Sequence, residues 1–223
     1  MLWSPNTQLH YPIQNTAKDY SGNARNGTVN GSGVYATKPN GGRCLYFDGV
    51  GDYVATPSFG LTGTVVVFAA DIRCIPNAAW QVLLRTPFSL ANGYLYCYRN
   101  GDLLIWTYSY GSNDATKYAT LFGGSFDDTW LNLLVVCDYS VGGKVYFYRN
   151  GGLLTTSTSL TGSPVFPTTN GAKYIGVRNA DWDQLLTAGY LANVYLGTLP
   201  TMPAAAQMLA NAKRLMLGFN PIW

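Results

Sequence analysis

Glutamate is absent. Every one of the eleven acidic residues among the 223 is Asp, and the only imidazole belongs to His10. Charged residues make up 11 % of the chain, less than half the roughly 25 % of an average soluble domain. A chain without a γ-carboxylate and nearly without imidazole has few of the groups that general acid–base catalysis uses. The Lys and Arg residues are scattered singly and the net charge is only +3, so the clustered basic footprint of a nucleic-acid binder is missing and none is expected as partner. No apolar run is long enough to span a bilayer, so no membrane insertion is expected. Near Met1, Leu2 and Trp3 there is no basic region followed by an apolar stretch. That leaves no sign of a secretory leader and points to production in a cytoplasm.

Cysteine is sparse as well. Cys44, Cys74, Cys97 and Cys137 stand far apart, without a Cys-x-x-Cys pair or a nearby His, so zinc is not indicated. Each lies in an apolar run and reads as a reduced core residue. His10 sits beside a proline in Leu9-His10-Tyr11-Pro12, no Gly-x-Ser-x-Gly elbow is present, and the glycines between Gly22 and Gly33 lack the Lys-Ser/Thr of a phosphate loop.

What remains is strand material. From Cys44 onward, short runs of Val, Tyr, Leu and Thr alternate with Gly, Asn and Pro: 44–47, 52–56, 63–74, 81–85, 93–99, 102–110, 117–122, 129–138, 144–149, 152–158, 173–177 and 189–196. This spacing predicts an all-β antiparallel sandwich or barrel, and no linker divides residues 1–223. Two hairpins turn on Asn100-Gly101 and Asn150-Gly151, whose residues tolerate the positive φ of a type I′ turn. Residues 1–43 read as loops with short strands, with 1–18 as an N-terminal arm. One helix is expected over 201–217, with Pro203 in its first turn, Met208, Leu209, Ala212, Leu215 and Met216 as its apolar stripe, and Lys213 and Arg214 at its negative end. An apolar tail, 218–223, follows.

The order of these pieces resembles the laminin-G-like, concanavalin A-like jelly rolls. Asp19-Tyr20-Ser21-Gly22 through Gly27 is similar to the opening Asp-x-Ser-Gly segment of that family. Leu45-Tyr46-Phe47-Asp48-Gly49-Val50-Gly51-Asp52-Tyr53-Val54 resembles its Phe-Asp-Gly-x-x-Asp-Tyr-Val segment. Trp130 opens a strand like the family's Trp-x-x-Val, and at that position is expected in the core. The Tyr148-Arg149-Asn150-Gly151 turn, Tyr174-Ile175-Gly176 and Gly189-Tyr190-Leu191 follow in the family's order. The resemblance implies a sandwich of two antiparallel sheets with one C-terminal helix. It departs from the family after Gly189-Tyr190-Leu191, where Ala192 and Asn193 replace an Asp-Glu pair whose carboxylates often support calcium.

Three functions fit this fold. A glycoside hydrolase or lyase would need two carboxyl groups about 5–5.5 Å apart for a retaining reaction. Asp127 and Asp128 are adjacent and would face opposite sides of a strand, while Asp181 and Asp183 flank Trp182 in what reads as a loop. A calcium-dependent lectin would draw on Asp19, Asp48 and Asp52 as oxygen donors. A non-catalytic binding module would place aromatic platforms beside polar groups. Asp181, Trp182 and Asp183 have that composition, and so do Trp106 and Tyr108. We expect the third, with no catalytic residue and surface glycans as ligands. The chain is similar to stand-alone bacteriophage jelly rolls, which implies capsid decoration or a tail-associated protein on a virion surface. Leu2, Trp3, Phe219, Ile222 and Trp223 would then be contacts to other virion subunits or to copies in a homo-oligomer.

Overall fold

The computed structural model describes residues 7–75, 81–87, 94–100, 103–110, 114–121, 128–156, 170–177, 189–217 and 222; for 81, 87, 94–100, 103–110, 114–121 and 155 the description is of the backbone. Among the described residues, fifteen strands form two antiparallel sheets. In chain order they are β1 (Thr7–Tyr11), β2 (Thr28–Asn30), β3 (Val34–Thr37), β4 (Arg43–Phe47), β5 (Tyr53–Ala55), β6 (Val65–Cys74), β7 (Gln81–Pro87) and β8 (Tyr94–Asn100). They continue as β9 (Leu103–Tyr110), β10 (Asp114–Leu121), β11 (Leu131–Asp138), β12 (Val145–Arg149), β13 (Gly152–Thr156), β14 (Tyr174–Ile175) and β15 (Gly189–Leu199), before one helix, α1 (Ala205–Met216).

The first sheet runs β13-β12-β11-β6-β15-β4-β3, and β1 joins the same edge of β15 as β4. The second runs β10-β9-β8-β7-β14-β5-β2. Side chains alternate across a strand, and β6 shows both faces in use. Val66, Phe68, Ala70 and Ile72 enter the core between the sheets, while Val65, Val67 and Ala69 belong to a second cluster with Met208 and Ala212 of α1. The helix therefore covers the outer face of the first sheet. Buried Cys44, Cys74 and Cys137 are free thiols, as expected of core cysteines.

Two elements differ from expectation. The stretch 1–18 is more than an arm: Thr7–Tyr11 pairs with β15 from Gly197 to Val194, and Leu9, Tyr11 and Ile13 join the core. The helix begins four residues later than 201, after an extended Ala204 with no side chain to cap it. Pro203 restricts Met202 before it to extended backbone, which delays the first turn. The β12–β13 turn is as the sequence predicts, with φ of +47° at Asn150 and +78° at Gly151.

A buried lysine ties the approach to β14 to the segment around Phe59. Lys173 is fully buried, and its Nζ donates to the carbonyls of Gly171 (2.6 Å) and Phe59. Burial, then Arg25, lowers its pKa to about 7.

Candidate functional site

The outer face of the first sheet changes character along β6. Past Ala69, the next outward positions are Asp71 and Arg73, and on β11 the position before Leu134 on that face is Asn132. Ala192 of β15 lies opposite Asp71, and between Ala192 and Tyr195 the strand carries a β-bulge. Asn193, at φ +48°, is its left-handed residue, a backbone geometry that Asn tolerates better than other side chains.

These three strands bring one carboxylate and two amides together. Asp71 Oδ2 accepts from Asn193 Nδ2 (2.6 Å) and from Lys38 Nζ (2.6 Å), and Oδ1 accepts from Asn132 Nδ2. The Lys38 and Asp71 side chains are 11 % and 7 % exposed, so this is a largely dehydrated ion pair. Because a carboxylate only accepts, both amides must turn their nitrogens to it. Their Oδ1 atoms have no partner among the described residues.

Around this cluster is a cleft of about 440 Å³. Its floor is Asp71, Asn132, Asn193 and Lys38; its rim is Pro39 and, from the end of α1, Leu215, Met216 and Leu217. Met216 and Leu217 are 45 % and 65 % exposed. Trp130 closes one side, with Lys38 Nζ 5.0 Å from its ring centroid. The indole Nε1–H is shielded from solvent and finds no acceptor. Trp130 is thus half-buried at the cleft wall rather than a core residue. Beyond it, Tyr190 stacks against Trp130 (6.0 Å) and Tyr46 (4.9 Å), and Arg73 lies over Tyr190 while pairing with Asp128 at 2.7 Å.

Among the described residues that line the cleft, Asp71 is the one carboxylate, and a cation and two amides hold it. Two-carboxylate glycoside hydrolysis needs a second acid flanking the scissile bond.

The three aspartates expected to donate to calcium have another role. Asp19 is buried, and its oxygens accept from the backbone N–H of His10 (3.0 Å), Ser21 (2.9 Å) and Arg25 (2.9 Å) and from Ser21 Oγ (2.8 Å). Asp52, also buried, accepts from Ser32 N (2.6 Å) and Asp48 N (2.8 Å). Asp48 accepts from Val50 N (2.7 Å) and Ser32 Oγ (3.0 Å), bonds that hold its carboxyl below the usual range. Oxygens filled by backbone donors organise loops. Among the described residues no group of three His, Cys or Asp comes together to hold a metal ion.

Of the other expected site residues, Asp181, Trp182 and Asp183 lie outside the described residues, as do Leu2, Trp3, Phe219 and Trp223. Trp106 and Tyr108 stand in β9, at the register positions opposite Tyr118 and Thr116 of β10. Trp106 also pairs with Cys97, in the row that continues through Leu84, Ile175 and Val54. Those last three belong to the core. Ile222 is tied to its own chain: its N–H donates to Asn211 Oδ1 (2.6 Å) and its carbonyl accepts from Asn211 Nδ2 (2.8 Å). Its side chain remains 52 % exposed.

Residues 48–198 match the family model of the concanavalin A-like lectin/glucanases superfamily. The chain belongs to that superfamily. No curated protein matches it. Among solved structures it is similar to the binding domain of botulinum neurotoxin serotype G, at TM-score 0.72 and 11 % identity, covering 95 % of this chain and 51 % of the toxin domain. The ligand-binding domain of serotype D, solved in complex with N-acetylneuraminic acid, gives 0.70 and 11 %, covering 96 % and 51 %. This superfamily member thus spans about half the length of those toxin domains. Domain 4 of AbnA, a GH43 extracellular arabinanase from Geobacillus stearothermophilus solved in complex with arabinotriose, matches at 0.72 and 16 %, covering 95 % of this chain and 98 % of the domain. At these identities the likeness is one of fold.

Proposed function

We propose that this protein is a non-catalytic, glycan-binding module, and that the cleft around Asp71 receives the saccharide. The observation that carries this is the pairing of a polar floor with an apolar rim. Asn132 and Asn193 offer amide oxygens, beside the Trp130 ring, Pro39, Met216 and Leu217. A sugar ring presents hydroxyls at its edge and C–H groups on its faces, so it uses both. Binding of saccharides by two proteins of this fold, arabinotriose by one and N-acetylneuraminic acid by the other, supports the reading. The ion-paired state of Asp71 supports the absence of catalysis.

The setting we propose is a bacteriophage virion surface, as capsid decoration or tail-associated protein, with self or virion contacts through the apolar termini. The low charge and the half-exposed Ile222 support it. The test is a saccharide array followed by calorimetry and by product analysis on β-glucan and alginate. Binding without products, lost in Asn132→Leu, is expected. Turnover abolished by Asp71→Asn would overturn the proposal.

A further inference from the structure

The cleft's chemistry narrows its ligand further, taking the glycan-binding reading as given. We infer that it selects uncharged, polyhydroxylated saccharides and rejects sugar acids. Three features of the lining lead there.

The first is charge. Lys38 and Asp71 are the two charged residues among the described residues of the lining, and they neutralise one another at 2.6 Å. A ligand carboxylate finds no free cation: Lys38 is already committed to Asp71, and Arg73, outside the lining, is committed to Asp128 at 2.7 Å.

The second is hydrogen-bond polarity. Asp71 takes the Nδ2 donors of both Asn132 and Asn193, which fixes the flip of each amide. Each amide then has its Oδ1 acceptor and the second hydrogen of its Nδ2 left for a ligand. A sugar hydroxyl can use both, donating to the oxygen and accepting from the N–H; an ionised carboxylate has no proton to give and is repelled by the oxygen. Asp71 is therefore a positioning residue, which decides through the amides what the cleft accepts.

The third is the helix. Leu215, Met216 and Leu217 line the cleft with the last turn of α1, the end at which carbonyl dipoles sum to about half a negative charge. The last-turn cations Lys213 and Arg214 are not among the lining residues. An anion at this end is disfavoured, and a neutral hydroxyl is not.

The experiment presents the intact chain with an array of neutral oligosaccharides (arabinan, xylan, β-glucan and mannan fragments) and acidic ones (sialylated and uronate fragments). Calorimetry on the best of each class, at low and high salt, follows. A neutral ligand is expected to bind at least tenfold more tightly than any acidic one, with less than a twofold change in Kd between the two salts. Asn193→Gly, which keeps the positive φ and removes the amide, should weaken that binding at least tenfold while the melting temperature confirms folding. Tighter, salt-sensitive binding of a sugar acid that is lost in Asn132→Leu would overturn the selectivity and leave the glycan reading standing. Silence across both classes would overturn the glycan reading and the selectivity with it.

Discussion

One face of one sheet carries two different surfaces, and the same three strands build both. Along β6, the outward positions Val65, Val67 and Ala69 lie beneath α1, in a cluster with Leu134, Val136, Tyr195, Met208 and Ala212. Two residues on, the outward side chain is Asp71, and its neighbours across the sheet are Asn132 and Asn193. The covered half gains from apolar area removed from water, at about 25 cal/mol per Å². The open half gains nothing comparable, because dehydrating an ion pair is seldom repaid by its attraction alone. A protein selected for stability alone would continue the valines; the ion pair at the open end of a covered face is the feature on which the proposed saccharide cleft rests.

The sharpest way to break this contrast is to remove half of the pair. Lys38→Met leaves Asp71 without its cation in a site where the carboxylate is 7 % exposed. We expect a loss of about 3–5 kcal/mol in chemical denaturation, the usual cost of an orphaned buried charge. Adding Asp71→Leu should restore most of that stability and none of the saccharide binding. If the single variant unfolds at the wild-type denaturant concentration, the pair is not dehydrated and the contrast fails.

Truncating the helix anchor probes the other half. Met208 is buried on the sheet-facing side of α1, and Met208→Ala should cost about 3 kcal/mol through lost contact and residual cavity. Met216, on the same helix but 45 % exposed at the cleft rim, should lose no more than about 0.5 kcal/mol in Met216→Ala while weakening saccharide binding. Equal stability losses would show that the helix end is as tightly packed as its middle.

The two halves also differ in how far sequence discloses them. The sandwich is legible because its signals are local: apolar alternation, the Asn150-Gly151 turn, and the Pro and basic residues that bracket α1. The cleft is assembled from positions 38, 71, 130, 132 and 193, and only the strand order β11-β6-β15 makes neighbours of them. One signal was available, since Asp71 interrupts the ten-residue run Val65–Cys74 where an aliphatic residue would continue it. Asn193 was visible as a departure from the family pattern, but its meaning requires the bulge. The Asp-Gly loops are ambiguous for the converse reason: carboxylates beside glycines suit both calcium and backbone donors, and only the folded loops show the donors in place.

Titration separates the halves in a third way. His10 lies on this same outer face of the sheet, opposite Tyr195 of the covered cluster, and burial lowers its pKa to about 4 against an attraction from Asp19. The unfolded chain, with an ordinary His near 6.5, binds more protons than the folded one between those values. Stability should therefore fall as pH drops from 6.5 towards 4, by about 2–3 kcal/mol over the window. In His10→Gln that part of the slope should vanish. Lys173, lowered to about 7, has the same sign higher up: stability should climb as pH rises from 7 towards 10.5. A flat profile from pH 4 to 6.5 in the wild type would mean that His10 is hydrated.

The smallest effect asks whether the halves are mechanically joined. The Asn150-Gly151 turn touches both: a Cβ on Gly151 would lie 3.3 Å from Met216 Sδ, and Asn150 holds the start of β11 by two bonds. Its N–H donates to the Asn132 carbonyl (2.9 Å), and its Oδ1 accepts from the Asn132 N–H (2.9 Å). Asn150→Gly keeps the left-handed turn and the first bond but drops the second. That should cost about 1 kcal/mol, the value of one net hydrogen bond. If this clamp steadies the amide that Asn132 presents to the ligand, saccharide affinity should fall two- to threefold, with the melting curve only slightly displaced. Asn150→Ala should cost more in stability, because a Cβ resists φ near +50°, yet weaken affinity by the same factor. Unchanged affinity in both variants would show that the open half is held by Asp71 and its strands alone, and that the covered half does no more than keep it folded.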